Sequence, residues 1–150
     1  MVYLLIALVV LIALAPLTHF LPSKTQRHQA AMREAAAVQG LFVEFRDLPA
    51  ASSADTTRSR ADSVYYGLRL RPSSGRQGRA RRNWLRQEGE WRPLGSRAIP
   101  PDCLQAMPAG VLAASVDEAS CGVYWREDGE LATVTEIRRL LGEWAQQLAA

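Results

Sequence analysis

The chain has 150 residues, and its charges nearly cancel, 18 basic against 15 acidic for a formal net charge of +3. Its two histidines and two cysteines are too few for a histidine-based triad or a histidine-rich metal site, and Cys103 and Cys121 match no paired-cysteine zinc spacing. Composition therefore points away from an enzyme and from a resident metal or cofactor, and no catalytic residue is assigned.

No Asp, Glu, Lys or Arg precedes Lys24, and the run VYLLIALVVLIALAPLTHFL is apolar apart from Thr18 and His19. A hydrocarbon core about 30 Å thick needs roughly 20 helical residues to cross it. Val2 to Leu21 supplies that length, with Pro16 tolerated as a kink and Thr18 and His19 falling near the headgroups. Ala13, Leu14 and Ala15 resemble a signal-peptide cleavage site. Against cleavage, no basic residue opens the segment and Pro16 would follow the cut. The expectation is an uncleaved single-pass anchor, residues 1–22. Lys24, Arg27 and Arg33 flank it on one side only, which places the C-terminal domain in the cytoplasm and the N-terminus in the periplasm of a bacterial inner membrane. The bacterial host is inferred from 17 Arg against a single Lys, a bias usual in GC-rich genomes.

Ser23 and Gln26 have the spacing of a capping box, and KTQRHQAAMREAAAVQ is rich in helix formers up to Gly40, so residues 23–40 form a juxtamembrane helix. LFVEFRDL (41–48) reads as a strand closed by Pro49, and ASSADTTRSRAD (51–62) as a polar loop. Val64, Tyr66, Leu68 and Leu70 alternate with Tyr65, Gly67, Arg69 and Arg71, as in a strand with one buried and one wet face. After a loop at 72–78, NWLRQEGEWRPL predicts a hairpin turning at Glu88 and Gly89, with Trp84 and Trp91 near each other across it.

Residues 98–110 hold three of the eight prolines. They read as irregular, with a short helical turn near Cys103 to Met107. Val111–Val116 and Cys121–Glu127 are two further strands. Asp128 and Gly129 make a turn, and Thr133 with Glu136 caps a last helix, Val134–Leu148. Its apolar residues Ile137, Leu140, Leu141, Trp144 and Leu148 recur at three and four, so one face packs on the sheet. The fold class is α+β: a transmembrane helix and a juxtamembrane helix, then a small, mostly antiparallel sheet packed by a C-terminal amphipathic helix over residues 41–150.

Lys24 to Arg97 carries 15 basic and 7 acidic residues, and Ala98 to Ala150 carries 3 and 8. Either the basic part faces an anionic partner or the two halves attract each other. The candidate anionic-ligand site is Arg76, Arg79, Arg81, Arg82 and Arg86 around Trp84. No RNP-type signature accompanies it, so nucleic acid is not the expected partner. The acidic residues Asp117, Glu118, Glu127, Asp128 and Glu130 fall in expected turns and should be solvated. Cys103 and Cys121 should be free thiols in a reducing cytoplasm, and become the disulfide candidate if the domain is periplasmic.

The charge-free span followed by Pro22, Ser23, Gln26 and Arg27 resembles small single-pass inner-membrane proteins of proteobacteria to which no activity is assigned. Over roughly the first 45 residues it also resembles the YajC accessory subunit of the preprotein translocase. YajC proteins continue into a glycine-punctuated GD-x-V-x-T-x-GG region, whereas Gly40 here leads into LFVEFRDLP, so no functional residue is carried over. The resemblance implies a membrane-anchored, non-enzymatic accessory or scaffold protein that binds another protein. A membrane-tethered binder of anionic lipid or nucleic acid and a periplasmic envelope domain with a disulfide are the alternatives.

Overall fold

The computed structural model describes residues 1–14, 22–49, 63–72, 79–95 and 97–150, in two units divided within a helix, Met1–Ala30 and Ala31–Ala150. In the first unit α1 spans Val2–Leu14, 13 residues, all of them exposed. At 1.5 Å per residue it is about 20 Å long, against the roughly 30 Å of a bilayer core. Among the described residues no helix is long and apolar enough to cross a membrane. The expected span Val2 to Leu21 is thus described only to Leu14, and Pro16, Thr18 and His19 lie outside the described residues.

Helix α2, Lys24–Val38, opens on the expected capping box: the Gln26 N–H donates to Ser23 Oγ at 3.2 Å and the Ser23 N–H to Gln26 Oε1 at 2.9 Å. It closes with a Schellman pair, Leu41 N–H to the Ala36 carbonyl and Gly40 N–H to the Ala37 carbonyl, both 3.0 Å. Gly40 at φ 81° occupies the left-handed position that this ending requires. The second unit begins inside this helix, at Ala31, because Met32 and Ala36 belong to its core.

That core lies against a six-stranded, wholly antiparallel sheet of β1 (Phe42–Glu44), β2 (Val64–Arg69), β3 (Arg82–Gln87), β4 (Glu90–Leu94), β5 (Val111–Val116) and β6 (Ser120–Trp125), in the order β1-β2-β6-β5-β3-β4. Helix α3, Leu131–Ala149, lays Val134, Ile137, Leu140, Leu141 and Trp144 against one sheet face, together with Met32 and Ala36. Facing them from the strands are Tyr66, Trp84, Trp91, Val111, Ala114, Val116, Cys121, Val123 and Trp125. Each fully buried Val, Leu, Ile or Met among them contributes about 1.5–3 kcal/mol of transfer free energy. Trp84 and Trp144 meet edge to face at 5.7 Å. The α+β class, the amphipathic last helix and the hairpin are as the sequence predicts. The hairpin turn puts Glu88 at φ 52° and Gly89 at φ 86°, as in a type I′ turn. A 3-10 turn, Asp102–Ala106, lies where the short helical turn was expected.

Three local expectations are corrected. The strand over 41–48 is only Phe42–Glu44, since the chain then leaves the edge and buries Leu48 against Tyr65, Ala113 and Tyr124. The outer face of β2 is wet only at Arg69 and Arg71: Tyr65 and Gly67 are buried, Tyr65 packing with Phe42, Leu48 and Tyr124. Helix α3 starts at Leu131 rather than Val134, and Thr133 accepts from the Glu130 N–H at 3.1 Å as the third residue of a capping box. Trp84 and Trp91 share a face and a core cluster at diagonal positions of the hairpin, Trp84 opposite Pro93 and Trp91 opposite Arg86, and the Trp84 ring packs on Trp144.

Candidate functional site

The Arg-rich segment does not converge on one point. Arg79 donates to the Glu118 and Leu148 carbonyls, both at 3.2 Å, and so ties the β5–β6 turn to the end of α3. Arg86 donates to the Met107 and Pro108 carbonyls at 3.1 and 2.8 Å, with its guanidinium 5.7 Å from the centre of the Trp91 ring. Arg81 and Arg82 are exposed on consecutive residues, which in an extended chain point to opposite faces. Arg82 and Arg86 lie four residues apart on β3, roughly 13 Å. Arg76 lies outside the described residues. Beside Arg86 a shallow groove of about 290 Å³ is lined by Gly89, Ala109, Val111 and Leu112, so Arg86 is its one charged lining residue.

A different charged cluster is built at the other end of the sheet. After β6 the backbone turns through a left-handed conformation at Glu127, φ 53°, which aims its carboxylate inward instead of into solvent. Its side chain is 1% exposed. Arg33, on the second half of α2, reaches it with Nε at 2.8 Å from Oε1 and Nη2 at 2.5 Å from Oε2, a fork-to-fork pair. The Tyr66 hydroxyl donates to Oε1 at 2.9 Å. The hydrogen bond to Glu127 holds the Arg33 guanidinium above its ordinary pKa. Burial, with the Glu127 carboxylate adjacent, pushes the Tyr66 phenol well above its own. The solvated-turn expectation for Glu127 is therefore corrected. A carboxylate with three donors already satisfied is a poor general base, and this cluster joins α2 to the sheet. Among the described residues, Arg33–Glu127 is also the one ion pair that crosses between the basic and acidic halves of the chain.

On the opposite sheet face the rings of Phe42, Tyr65 and Tyr124 follow one another at 5.8 and 4.9 Å. Arg46 lies 4.3 Å over Tyr65, and Arg69 lies 5.3 Å over Phe42. Basic groups over aromatics resemble a base-stacking platform, but Tyr65 and Tyr124 are buried and present no free ring face.

Both cysteines are unbridged and buried in the core on the helical side of the sheet. Burial pushes the Cys103 thiol up to about 11 and the Cys121 thiol up to about 12, which keeps both protonated and unreactive near neutrality. Among the described residues no three His, Cys, Asp or Glu side chains group as a metal site would need.

No motif or spacing marks the Arg33–Glu127 pair. Its partners are 94 positions apart, and the one available signal was the excess of basic over acidic residues in the first half. Comparison with protein-family models, with curated proteins and with solved structures produced no match to the chain.

Proposed function

We propose that this chain is a single-pass, membrane-anchored, non-enzymatic accessory or scaffold protein of a bacterial inner membrane, whose α+β domain lies in the cytoplasm and binds another protein. The observation that carries the reading is the absence of any charged side chain before Lys24, together with an α1 that is apolar on every side and exposed at every residue. Such a helix gains nothing in water, where about 25 cal/mol is forgone for each Å² of apolar surface left wet, and a bilayer removes that cost. The anchor runs over Val2 to Leu21, and Lys24, Arg27 and Arg33 give the orientation.

The non-enzymatic part rests on the chemistry of the folded unit: its buried carboxylate is saturated by Arg33 and Tyr66, and its thiols are buried. Binding of anionic lipid or nucleic acid through Arg76 to Arg86 has weaker support, because Arg79 and Arg86 are already engaged by backbone carbonyls.

The test is a pair of C-terminal reporter fusions, one active only in the cytoplasm and one only in the periplasm, with blotting for chain length and membrane fractionation. Cytoplasmic activity with a full-length, membrane-bound product is expected. Periplasmic activity would reverse the orientation and place Cys103 and Cys121 in an oxidising compartment, and a product released from membranes would end the anchoring reading. Crosslinking at native expression should then recover a second protein reproducibly; recovery of the chain without one would end the scaffold reading.

A further inference from the structure

We propose that the folded unit pairs with a second copy of itself along the free edge of β1, antiparallel and two-fold about Val43. This goes beyond the scaffold reading and does not depend on it. The open sheet has two edges, and they differ. Edge strand β4 contains Pro93, which lacks an N–H, flanked by the exposed charges of Glu90 and Arg92, the usual means of discouraging further pairing. Edge strand β1 has no proline, and among the described residues no strand pairs with its outer side. It is flanked by two of the most exposed apolar side chains of the unit, Val38 at 83% and Phe45 at 77%.

A two-fold about Val43 places Phe42 opposite Glu44 of the second copy and Leu41 opposite its Phe45. Opposed residues of an antiparallel pair point to the same face. On one face, Glu44 of one copy then approaches Phe42 of the other, over which the Arg69 guanidinium lies. Among the described residues Arg69 is exposed and has no carboxylate partner, and Glu44 is bound at 2.5 Å by Arg46 of its own copy, so the pairing makes each Glu44 carboxylate one shared by that Arg46 and the Arg69 of the mate. On the other face Leu41 is already buried in its own core, and Phe45, whose ring lies 5.0 Å from the Arg33 guanidinium, comes toward the exposed Val38 of the mate. The register works in either hydrogen-bonding phase of β1, because a two-fold through one residue pairs 43 with 43 or 42 with 44. Three residues supply few ladder bonds and exposed ion pairs contribute at most about 1 kcal/mol each, so the apolar flanks carry most of the association and Glu44 and Arg69 fix its register.

The test uses the full chain in detergent with Val43→Cys, whose side chains face each other across the axis at a Cβ separation of about 4.5–5.5 Å. Mild oxidation should give a disulfide-linked dimer, while Arg92→Cys on the far edge should give none. Adding Glu44→Arg to Val43→Cys should abolish the dimer, and adding Arg69→Glu to that pair should restore it. Circular dichroism and maleimide labelling of each variant confirm a folded chain with an accessible thiol. A folded, maleimide-reactive Val43→Cys chain that stays monomeric overturns the proposal. So does equal crosslinking at Val43 and Arg92, or a Val43→Cys dimer indifferent to the charge exchange.

Discussion

The Tyr66 hydroxyl donates to the Glu127 carboxylate across 2.9 Å with both groups out of water, and Arg33 closes the other side. Removing one member leaves the others buried and unsatisfied, which costs more than the net worth of the contact. Arg33→Met should lower unfolding free energy by about 2–3 kcal/mol, below the full range for a buried pair because Arg33 keeps a third of its side chain in water. Tyr66→Phe should cost about 1–2 kcal/mol. Denaturant unfolding of the double variant should show a loss smaller than the sum of the two, the sign of shared partners.

The Tyr65 side chain of β2 lies over Gly122 of the neighbouring β6. A Cβ there would stand 2.5 Å from the Tyr65 hydroxyl oxygen and 2.5 Å from the Tyr66 carbonyl oxygen, and the latter is backbone that cannot move alone. Gly122→Ala should destabilise by about 3 kcal/mol or more, the upper end for overpacking, seen as a lower midpoint in urea.

The thiols should report folding. Near pH 8 neither Cys103 nor Cys121 should react with a thiol reagent in the native protein, and two thiols per chain should react after unfolding. Both folded values, about 11 and about 12, lie above the unfolded value of roughly 8.5, so the unfolded chain loses these protons first. Their contribution is complete below about pH 8.5 and declines as pH rises toward those folded values. Unfolding midpoints should fall across that alkaline window, and replacing both cysteines by Ala should flatten the decline.

The arginines at and just before the third strand should separate by role. Arg86→Ala leaves the Met107 and Pro108 carbonyls without their donor and should cost about 1–3 kcal/mol. Arg81→Ala and Arg82→Ala should change stability by no more than about 0.5 kcal/mol, since both are exposed. Thermal melts of the three variants check this, and vesicle binding of the Arg81/Arg82 double variant tests the anionic-partner alternative directly.

At the hairpin, Glu88 holds a left-handed backbone, φ 52°, that asparagine adopts at lower cost. Glu88→Asn should raise stability by about 0.5–1 kcal/mol, a fraction of the left-handed penalty, measured by equilibrium unfolding.

What the sequence determined by itself was local. The Ser23–Gln26 box, the Gly40 ending, the Glu88–Gly89 turn and the three-four spacing of Ile137, Leu140, Leu141 and Trp144 are fixed by bonds and periodicities within a few residues of each other. The uncharged run before Lys24 is legible in the same way. Tertiary structure decided the rest, because it depends on which distant segments close on one another. Alternation along β2 cannot reveal that Leu48 and Tyr124 cover its supposedly wet face, and an acidic turn cannot reveal that Arg33 waits 94 positions away. The arginines around Trp84 form a cluster in one dimension only. Pleating separates Arg81 from Arg82, and carbonyls freed at the end of α3 and in the Met107–Pro108 loop capture Arg79 and Arg86, since a buried or half-buried carbonyl takes the nearest available donor.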